Sequence, residues 1–572
     1  MPAFRRVAVS VALVSAVVAG TAQPASAHAV LLRTDPLPQT TVAKSPSAIR
    51  LDFSEPVEVA FGAVRLFDVD GHRVDSGSIH RANGDREVVL PVSELKDGTY
   101  TVTWRVASSD GHRVSGGFDF YVGAPSTISA VAVKRDQGAG RVVGWGYGVV
   151  RLVWFAALIA LVGLVASRRW VWTPALRAAG LGESPIGDSY RTQFRRALFL
   201  TWAALALSGA LMILFQASTL SGLSLWSAAR PDVLGEVLRT SFGHIWLAQM
   251  ALTALLLVPV VALGQGRQLL GWSLSVWIIV VAAGSLALCI AAGLNGHART
   301  NARPALAVLS IAAHLFAVGV WVGGLGALVL VGGPAWRRLA GEGRPALLRQ
   351  LVHRFSRVAI GAVLVVILTG VVNSLANLAS VSDLWRVVYG RVLLAKIIVL
   401  AAALALAARH LRVVPGRLAR SGSAVSAARG FQRTAAAELG LLVVVVSLAA
   451  ALVALVPGRS VALAAKGPVN QEKTIGTYTA QFLVDPTAVG ANQVHVTFLN
   501  AQGLGAAEVT NSSVTLGRVG AAPNRVPMRL ISPGHFVGDV TLPAPGDYRV
   551  TVVTGAGASA TFQFRLQKES AS

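Results

Sequence analysis

Eight apolar runs, each long enough to cross a lipid bilayer, constrain this chain more than any other feature. They lie near residues 144–166, 197–216, 244–263, 272–293, 305–331, 358–377, 391–408 and 435–456. A spanning helix needs about 20 apolar residues, because the hydrocarbon core is about 30 Å thick and a helix rises about 1.5 Å per residue. Only 14% of the 572 residues are charged, against about 25% in a soluble domain. The sequence therefore predicts an eight-helix transmembrane bundle over 144–457 and excludes a purely cytosolic globular protein.

The distribution of arginine predicts how the bundle is oriented. The formal net charge is +24, an excess that can indicate nucleic-acid binding. The arginines, however, lie in short loops between the apolar runs: the loops after spans one, three, five and seven carry 19, and the three alternate loops carry 6. By the positive-inside rule, the odd-numbered loops face the cytoplasm. We therefore expect a multi-pass protein of the cytoplasmic membrane, with the lipid bilayer and not nucleic acid as its partner.

The first 27 residues have the composition of a secretory signal peptide. Arg5 and Arg6 are followed by an apolar run over 7–19 and by the small-residue sequence Ala25-Ser26-Ala27. A first membrane anchor is the alternative, but the run is short and a soluble-looking segment follows it. Cleavage after Ala27 makes His28 the first residue of the mature chain, and both ends of that chain then face outward.

Two regions outside the bundle alternate apolar and polar residues with the period of a β-strand. The first, 28–122, is predicted to be an Ig-like β-sandwich, followed by a linker over 123–143. The second, 471–567, is predicted to be a smaller extracytoplasmic β-sandwich after a linker over 458–470. The alternating residues include Ile49, Leu51 and Phe53; Tyr100, Val102, Trp104 and Val106; Val494, Val496 and Phe498; and Tyr548, Val550 and Val552.

Cysteine and methionine are too scarce for several kinds of site. One Cys permits no intramolecular disulfide and no thiolate cluster, and four Met exclude a methionine-rich Cu(I) site. We find no nucleophile elbow, zinc-protease helix, phosphate-binding loop or dinucleotide fingerprint in a convincing context. The 11 histidines are therefore the better guide to chemistry.

A histidine at the start of a mature chain can chelate copper. A free α-amine titrates near pH 7.7–8.0, so His28 offers its amine and its imidazole together at neutral pH. One more imidazole completes a planar three-nitrogen set, which suits Cu(II). His112, two residues after Asp110 in Ser109-Asp110-Gly111-His112, is the candidate. A second Asp-Gly-His sequence ends at His72, which is more simply an exposed turn residue.

Three stretches of the first region resemble the copper-resistance family CopC. They are His28 itself, Leu51-Asp52-Phe53-Ser54-Glu55-Pro56-Val57, and Ser109-Asp110-Gly111-His112-Arg113-Val114-Ser115-Gly116. The resemblance implies that His28, Asp110, His112 and Glu55 form or support a Cu(II) site. Some members also have a methionine-rich Cu(I) site. Residues 28–122 contain no Met, so only the Cu(II) site is expected.

The membrane region resembles the CopD family, which often occurs fused to CopC. The resemblance rests on the sequence from His314 to Leu325 in span five, on Arg354-Phe355-Ser356-Arg357 leading into Thr369-Gly370, and on Tyr389-Gly390-Arg391 leading into Lys396. The C-terminal sandwich fits the YtkA-like family loosely.

Histidines within or beside the spans are candidates for a copper path, because ionisable groups inside a bilayer are costly. His314 lies about 14 Å into span five, near the bilayer centre. His244 opens span three and His297 closes span four, both at the outer surface. Interfacial capping for these two and hydrogen-bonded packing for His314 are the alternatives. His353 and His410 fall in arginine-rich loops and are expected to be ordinary surface residues.

These observations predict a copper-handling membrane protein that captures Cu(II) outside and moves copper inward. The alternative is a non-transporting module that buffers copper or delivers it to an extracytoplasmic chaperone or acceptor. A third class, copper-dependent oxygen chemistry on polysaccharides, finds no substrate surface in the sequence. We therefore expect no enzymatic activity, and the depth of His314 favours transport over storage.

Overall fold

The computed structural model describes residues 29, 31–38, 40–59, 64–69, 72–75, 77–108, 113–123, 140–266, 272–296, 298, 303–332, 343–420, 424–453, 455, 457–459, 469–485, 487, 489–500, 506–532 and 534–566. These residues form two compact units. One contains the membrane helices within 139–458, and the other contains the β-strands within 26–138 and 459–572.

Eight helices among the described residues are long and apolar enough to cross a membrane, as the sequence predicts. Spans one to eight run Val143–Ala178, Pro185–Ser221, Ser241–Gln265, Leu274–Leu294, Pro304–Val331, Leu347–Asn377, Val388–Ala408 and Arg433–Val453. Three short helices lie between spans, at Leu225–Ala228, Pro231–Leu238 and Asp383–Arg386. Spans one to four share one large apolar core with residues of span five, mostly at its C-terminal end, and with the first part of span six.

Three of these helices extend beyond their apolar runs, which corrects the expectation of arginine-rich loops at two histidines. The helix of span six begins at Gly343, so His353 is helical and exposed. The helix of span seven continues to Arg420 and therefore includes His410, and the helix of span eight begins at Ala424. Each apolar run is shorter than its helix. Residues with good helix propensity, chiefly Ala, Arg and Leu, continue the helix beyond the run.

Glycines bring spans one and five into backbone contact. A Cβ added to Gly163 of span one would lie 2.0 Å from the carbonyl carbon of Gly323, and one added to Gly323 would lie 2.1 Å from the oxygen of Ile159. Gly319, one turn earlier, faces Val162 in the same way. Small residues allow membrane helices to approach this closely. On span five the crossing coincides with a π-helical turn, Gly319–Gly323, and a second one follows at Ala327–Val331.

The first β-domain is a sandwich of two sheets, as predicted. Its strands are β1 (Leu31–Asp35), β2 (Thr41–Val42), β3 (Ala48–Phe53), β4 (Val57–Glu58), β5 (Val64–Phe67), β6 (His80–Ala82), β7 (Glu87–Pro91), β8 (Gly98–Ser108) and β9 (Arg113–Val122). One sheet has the order β1-β3-β7-β6, and the other has β2-β9-β8-β4 with β5 also paired to β8. The alternating residues Ile49, Leu51 and Val102 are fully buried between the sheets.

The second β-domain is also a two-sheet sandwich. Its strands are β10 (Val469–Ile475), β11 (Tyr478–Asp485), β12 (Gly490–Leu499), β13 (Ser512–Arg518), β14 (Asn524–Val526), β15 (Arg529–Ser532), β16 (His535–Leu542), β17 (Gly546–Thr554) and β18 (Ser559–Leu566). The sheet orders are β10-β11-β12-β16-β15 and β14-β13-β17-β18. Aromatic contacts fill the core between the sheets, such as Phe482 against Phe562, with ring centroids 5.0 Å apart.

Candidate metal centre

Glu55 is the predicted copper-site residue that the structure describes in the first sandwich. It lies between β3 and β4, and only 9% of it is exposed. A buried carboxylate needs hydrogen-bond donors to offset the loss of water. The hydroxyl of Ser108 donates to Glu55 Oε1. Ser108 is the last residue of β8 and pairs with Val57 of β4, which brings the donor to the carboxylate.

The other three residues predicted for this site, His28, Asp110 and His112, lie outside the described residues. Among their described neighbours, Ala29 is fully buried in the sandwich core. In the sequence 109–112 stands between β8 and β9, whose last described pair is Ala107 with Arg113. Glu55 therefore lies beside the last residue of β8, Ser108, which directly precedes 109–112 in the chain.

Gly116, the last residue of the Ser109–Gly116 stretch, has a packing role. Gly116 pairs with Trp104 across β8 and β9, and a Cβ at Gly116 would lie 2.5 Å from the indole ring. The same indole makes an edge contact with Phe53, with ring centroids 5.5 Å apart. The glycine therefore lets an aromatic ring lie flat across the hairpin that carries the predicted ligands.

His72 is a surface residue, as expected. Its side chain is 78% exposed and lies 3.6 Å from a carboxylate oxygen of Asp68. Its backbone N–H donates to the same carboxylate, at 2.8 Å. His72 thus takes part in a local turn contact with Asp68.

His314 lies in span five, ten residues after Pro304, and so about 15 Å along the helix. Its Nδ1 is 2.9 Å from the hydroxyl oxygen of Thr369 in span six. That hydroxyl donates its own proton to the carbonyl of Val365, at 2.6 Å. With its proton given to that carbonyl, the oxygen accepts from His314 Nδ1–H, the tautomer that leaves the lone pair on Nε2. The imidazole is also hydrogen-bonded to the backbone of Val366. A ring nitrogen held in this way is the arrangement seen in metal-binding histidines.

Other polar groups of the bundle lie near His314 or are buried elsewhere in it. Lys396 of span seven is half-buried and close enough to act electrostatically on His314. Gly370 brings the backbone of span six against the imidazole, with a Cβ there 3.7 Å from Cε1 of His314. Glu438 of span eight is 3% exposed. The positive charge of Lys396 repels a cation bound at His314, unless the lysine is neutral or has moved away.

The candidate copper path of His244, His297 and His314 is only partly described. His244 lies in the first turn of span three and is exposed. His297 lies outside the described residues. Across the described ranges, no three His, Cys, Asp or Glu side chains gather closely enough to hold a metal ion. Among the residues that the structure describes, His314 therefore lies with Thr369 and Lys396 and not within a histidine cluster.

Sequence reasoning missed Ser108 and Thr369, the partners that position Glu55 and His314. Both are hydroxyl residues, and a single sequence gives them no distinguishing pattern. For Thr369 there was one indication, its place next to Gly370 in the stretch that resembles CopD. For Ser108 the indication was its position directly before the Ser109–His112 segment.

Three family models match this chain. The CopC domain matches residues 31–123, the copper resistance protein D-like N-terminal domain matches 142–305, and copper resistance protein D matches 349–452. Copper resistance protein C of Xanthomonas campestris pv. juglandis is 32% identical over 129 residues, which cover 21% of this chain and 99% of that protein. The chain belongs to the CopC/CopD copper-resistance family.

A relative from Bacillus subtilis (strain 168) aligns with this chain over a longer stretch. Copper transport protein CutJ is 27% identical over 373 residues, and the match covers 65% of each chain. This chain thus spans about two thirds of the length of CutJ. The crystal structure of CopC from Methylosinus trichosporium OB3b is 38% identical and covers 17% of this chain and 95% of that one, with a TM-score of 0.16. Span five, with His314, lies between the two matched CopD ranges.

Proposed function

We propose that this protein captures Cu(II) outside the cytoplasmic membrane and moves copper inward through its eight-helix domain. The observation that carries the proposal is the orientation of His314: an imidazole about 15 Å into a membrane helix, its Nδ1 bound to Thr369 and its Nε2 available as a ligand. Membership of a family named for copper resistance supports copper as the ion.

Capture is assigned to the first sandwich, over 28–122. The terminal amine and imidazole of His28, the imidazole of His112 and the carboxylates of Asp110 and Glu55 form the proposed Cu(II) ligand set. Nitrogen donors with carboxylate support suit Cu(II). The buried position of Glu55 beside Ser108 supports this, since it holds a carboxylate at the end of β8, directly before 109–112 in the chain.

The proposed direction rests on topology. Arginine-rich loops after the odd-numbered spans favour a cytoplasmic position for those loops, and both β-domains then face outward. Residues 28–122, the linker 123–143, the bundle 144–457, the linker 458–470 and the sandwich 471–567 form the proposed order of domains. Copper captured outside meets His314 on its way across the bilayer, where the lipid offers no ligand.

The test is the copper content of cells that express matched levels of each variant, measured by mass spectrometry. His314→Ala should abolish the added copper accumulation. Thr369→Val keeps the side-chain shape but removes the acceptor of Nδ1–H, so it should lower accumulation without abolishing it. His353→Ala removes an exposed histidine from the next span and is the matched control.

The alternative function, extracytoplasmic buffering or delivery without transport, gives a different result. In that case His314→Ala cells hold as much copper as the parent, and the copper stays accessible to an external chelator. If cells with the intact protein hold less copper than cells without it, the proposed direction is wrong.

Capture is tested separately by Cu(II) competition titration of the purified full chain. One residue added before His28 converts the terminal amine into an amide and removes the chelate. Affinity should then fall by several orders of magnitude, where each factor of ten corresponds to about 1.4 kcal/mol. His112→Ala should also weaken binding strongly, whereas His72→Ala should leave it unchanged. Equal affinity with and without the added residue refutes the terminal chelate.

A further inference from the structure

The second sandwich buries histidines on the outer face of a sheet, away from its own core. On β12, Val494 and Val496 point into the core, so His495 between them points to the other face, yet it is only 3% exposed. Its cross-strand neighbours on that face, Leu483 of β11 and Val537 of β16, are 6% and 4% exposed. The outer face of an antiparallel sheet usually meets water, so another element must cover this one.

Part of the cover comes from the first sandwich, which belongs to the same compact unit. The hydroxyl of Tyr121 on β9 lies 3.1 Å from Nδ1 of His535, the first residue of β16. Tyr121 points away from the core of its own domain, since its neighbours Phe120 and Val122 fill that core. Tyr121 and His535 are 6% and 2% exposed. The outward face of β9 in the first sandwich therefore meets the outward face of β16 in the second where the phenol of Tyr121 contacts the imidazole of His535.

The two imidazoles of the second sandwich meet end to end. Nδ1 of His495 lies 3.2 Å from Nε2 of His535, and the ring centroids are 5.5 Å apart with 27° between the planes. In a five-membered ring with bonds of about 1.35 Å, each nitrogen lies about 1.15 Å from the centre. The nitrogen–nitrogen distance plus two such radii equals the centroid separation. Both nitrogens and both ring centres thus lie nearly on one line.

The outer nitrogen of each ring is also held. Nε2 of His495 is 3.1 Å from the side-chain oxygen of Gln493, which accepts its proton. Nδ1 of His535 faces Tyr121. Burial lowers the pKa of both imidazoles below the usual value. The carboxylate of Asp539 partly offsets the lowering at His495. The neighbouring His495 lowers the pKa of His535 further. Both rings are therefore neutral at neutral pH.

We propose that His495 and His535 form a two-coordinate Cu(I) site closed by Tyr121. A metal–imidazole bond is about 2.0 Å, so a linear site needs its two nitrogens about 4 Å apart, and the rings must separate by about 0.8 Å from their present distance. When the metal enters, the proton on Nε2 of His535 moves to Nδ1, where the oxygen of Tyr121 accepts it. No proton is released, and Gln493 and Tyr121 then hold the outer N–H groups as the partners of metal-bound histidines do.

The donor set selects a monovalent ion. No three His, Cys, Asp or Glu side chains gather into a metal-holding group among the described residues, so ions that need four or more ligands find too few here. Two neutral imidazoles in line satisfy Cu(I), and imidazole suits copper. This site rests on the proposed function only in that the protein encounters copper, and it does not require copper transport.

The experiment is an anaerobic titration of the purified full chain with Cu(I), in competition with a chromogenic Cu(I) chelator. We expect His535→Ala and His495→Ala each to bind one Cu(I) fewer than the parent. Tyr121→Phe keeps both imidazoles and should keep the number bound. His72→Ala removes an exposed histidine of the same unit and is the matched control. Equal numbers of Cu(I) in all variants overturn the site.

A second measurement uses the unmutated protein and so does not depend on the stability of the variants. Stoichiometric Cu(I) should slow amide hydrogen exchange in peptides from β12 and β16. Unchanged exchange in both strands contradicts the site. His535→Gln, whose amide can still bond to His495, should melt near the parent temperature while losing one Cu(I). Because the readout is bound Cu(I), failure here is distinct from failure of transport through His314.

Discussion

Adding one methyl group at Gly163 should loosen the contact between spans one and five. The new Cβ would lie 2.0 Å from the carbonyl carbon and 2.4 Å from the Cα of Gly323, whereas carbon atoms pack at about 3.5–4.0 Å. The helices must therefore separate locally by about 1.5 Å, since neither atom belongs to a side chain that can rotate away. Overpacking of this kind costs about 1–3 kcal/mol of stability. We expect a cost in the upper half of that range, because the atoms in the way belong to the backbone of Gly323. At about 2 °C per kcal/mol for a large domain, Gly163→Ala should lower the melting temperature by about 5 °C.

The control for this prediction lies in the same helix. A Cβ at Gly148 meets nothing within 4 Å, so Gly148→Ala adds only helix propensity, at most about 1 kcal/mol of stabilisation. Thermal unfolding of both variants in detergent is followed by tryptophan fluorescence. The comparison distinguishes the effect of overpacking between spans one and five from the effect of helix propensity. If Gly163→Ala melts at or above the temperature of Gly148→Ala, the close backbone contact is wrong.

Three further predictions concern the β-domains. Ser108→Ala removes the donor to Glu55 and should weaken Cu(II) binding about tenfold, as measured by competition titration. Tyr121→Phe leaves Nδ1 of His535 without its donor and should cost about 1–2 kcal/mol, seen as a lower urea midpoint in pulse proteolysis. Burial raises the pKa of Asp119 to about 6, so the folded state binds the extra proton and stability falls as pH rises from about 4 to 6; Asp119→Asn should flatten that decline in the same assay, and an unchanged slope would refute the assignment.

The large elements could be predicted from the sequence because their patterns are long. Eight apolar runs and two alternating regions define the spans and the sandwiches, and Ile49, Leu51 and Val102 lie in the core where the period of two puts them. The loops expected at His353 and His410 were wrong, because residues with good helix propensity continue both helices beyond their apolar runs. His353 therefore lies in a helix and not in a loop.

The candidate sites were less accessible to sequence reasoning, because contacts between distant residues decide them. His314 was identified from its depth in an apolar run, but its tautomer depends on Thr369, 55 residues away. His495 occupies an outward position of an alternating strand, where exposure is the ordinary expectation. Its imidazole contacts His535, which in turn contacts Tyr121, 414 residues earlier in the chain, and no local pattern in the sequence indicates these contacts.

The central claim, inward movement of copper past His314, is tested most directly in proteoliposomes. The purified protein is reconstituted with a fluorescent copper chelator inside, liposomes with outward-facing β-domains are selected, and copper is added outside. Our account expects the internal signal to rise with the parent and with His353→Ala, and to stay at the level of protein-free liposomes with His314→Ala. An equal rise with His314→Ala, or no rise with the parent although its outer domains bind copper, would contradict it.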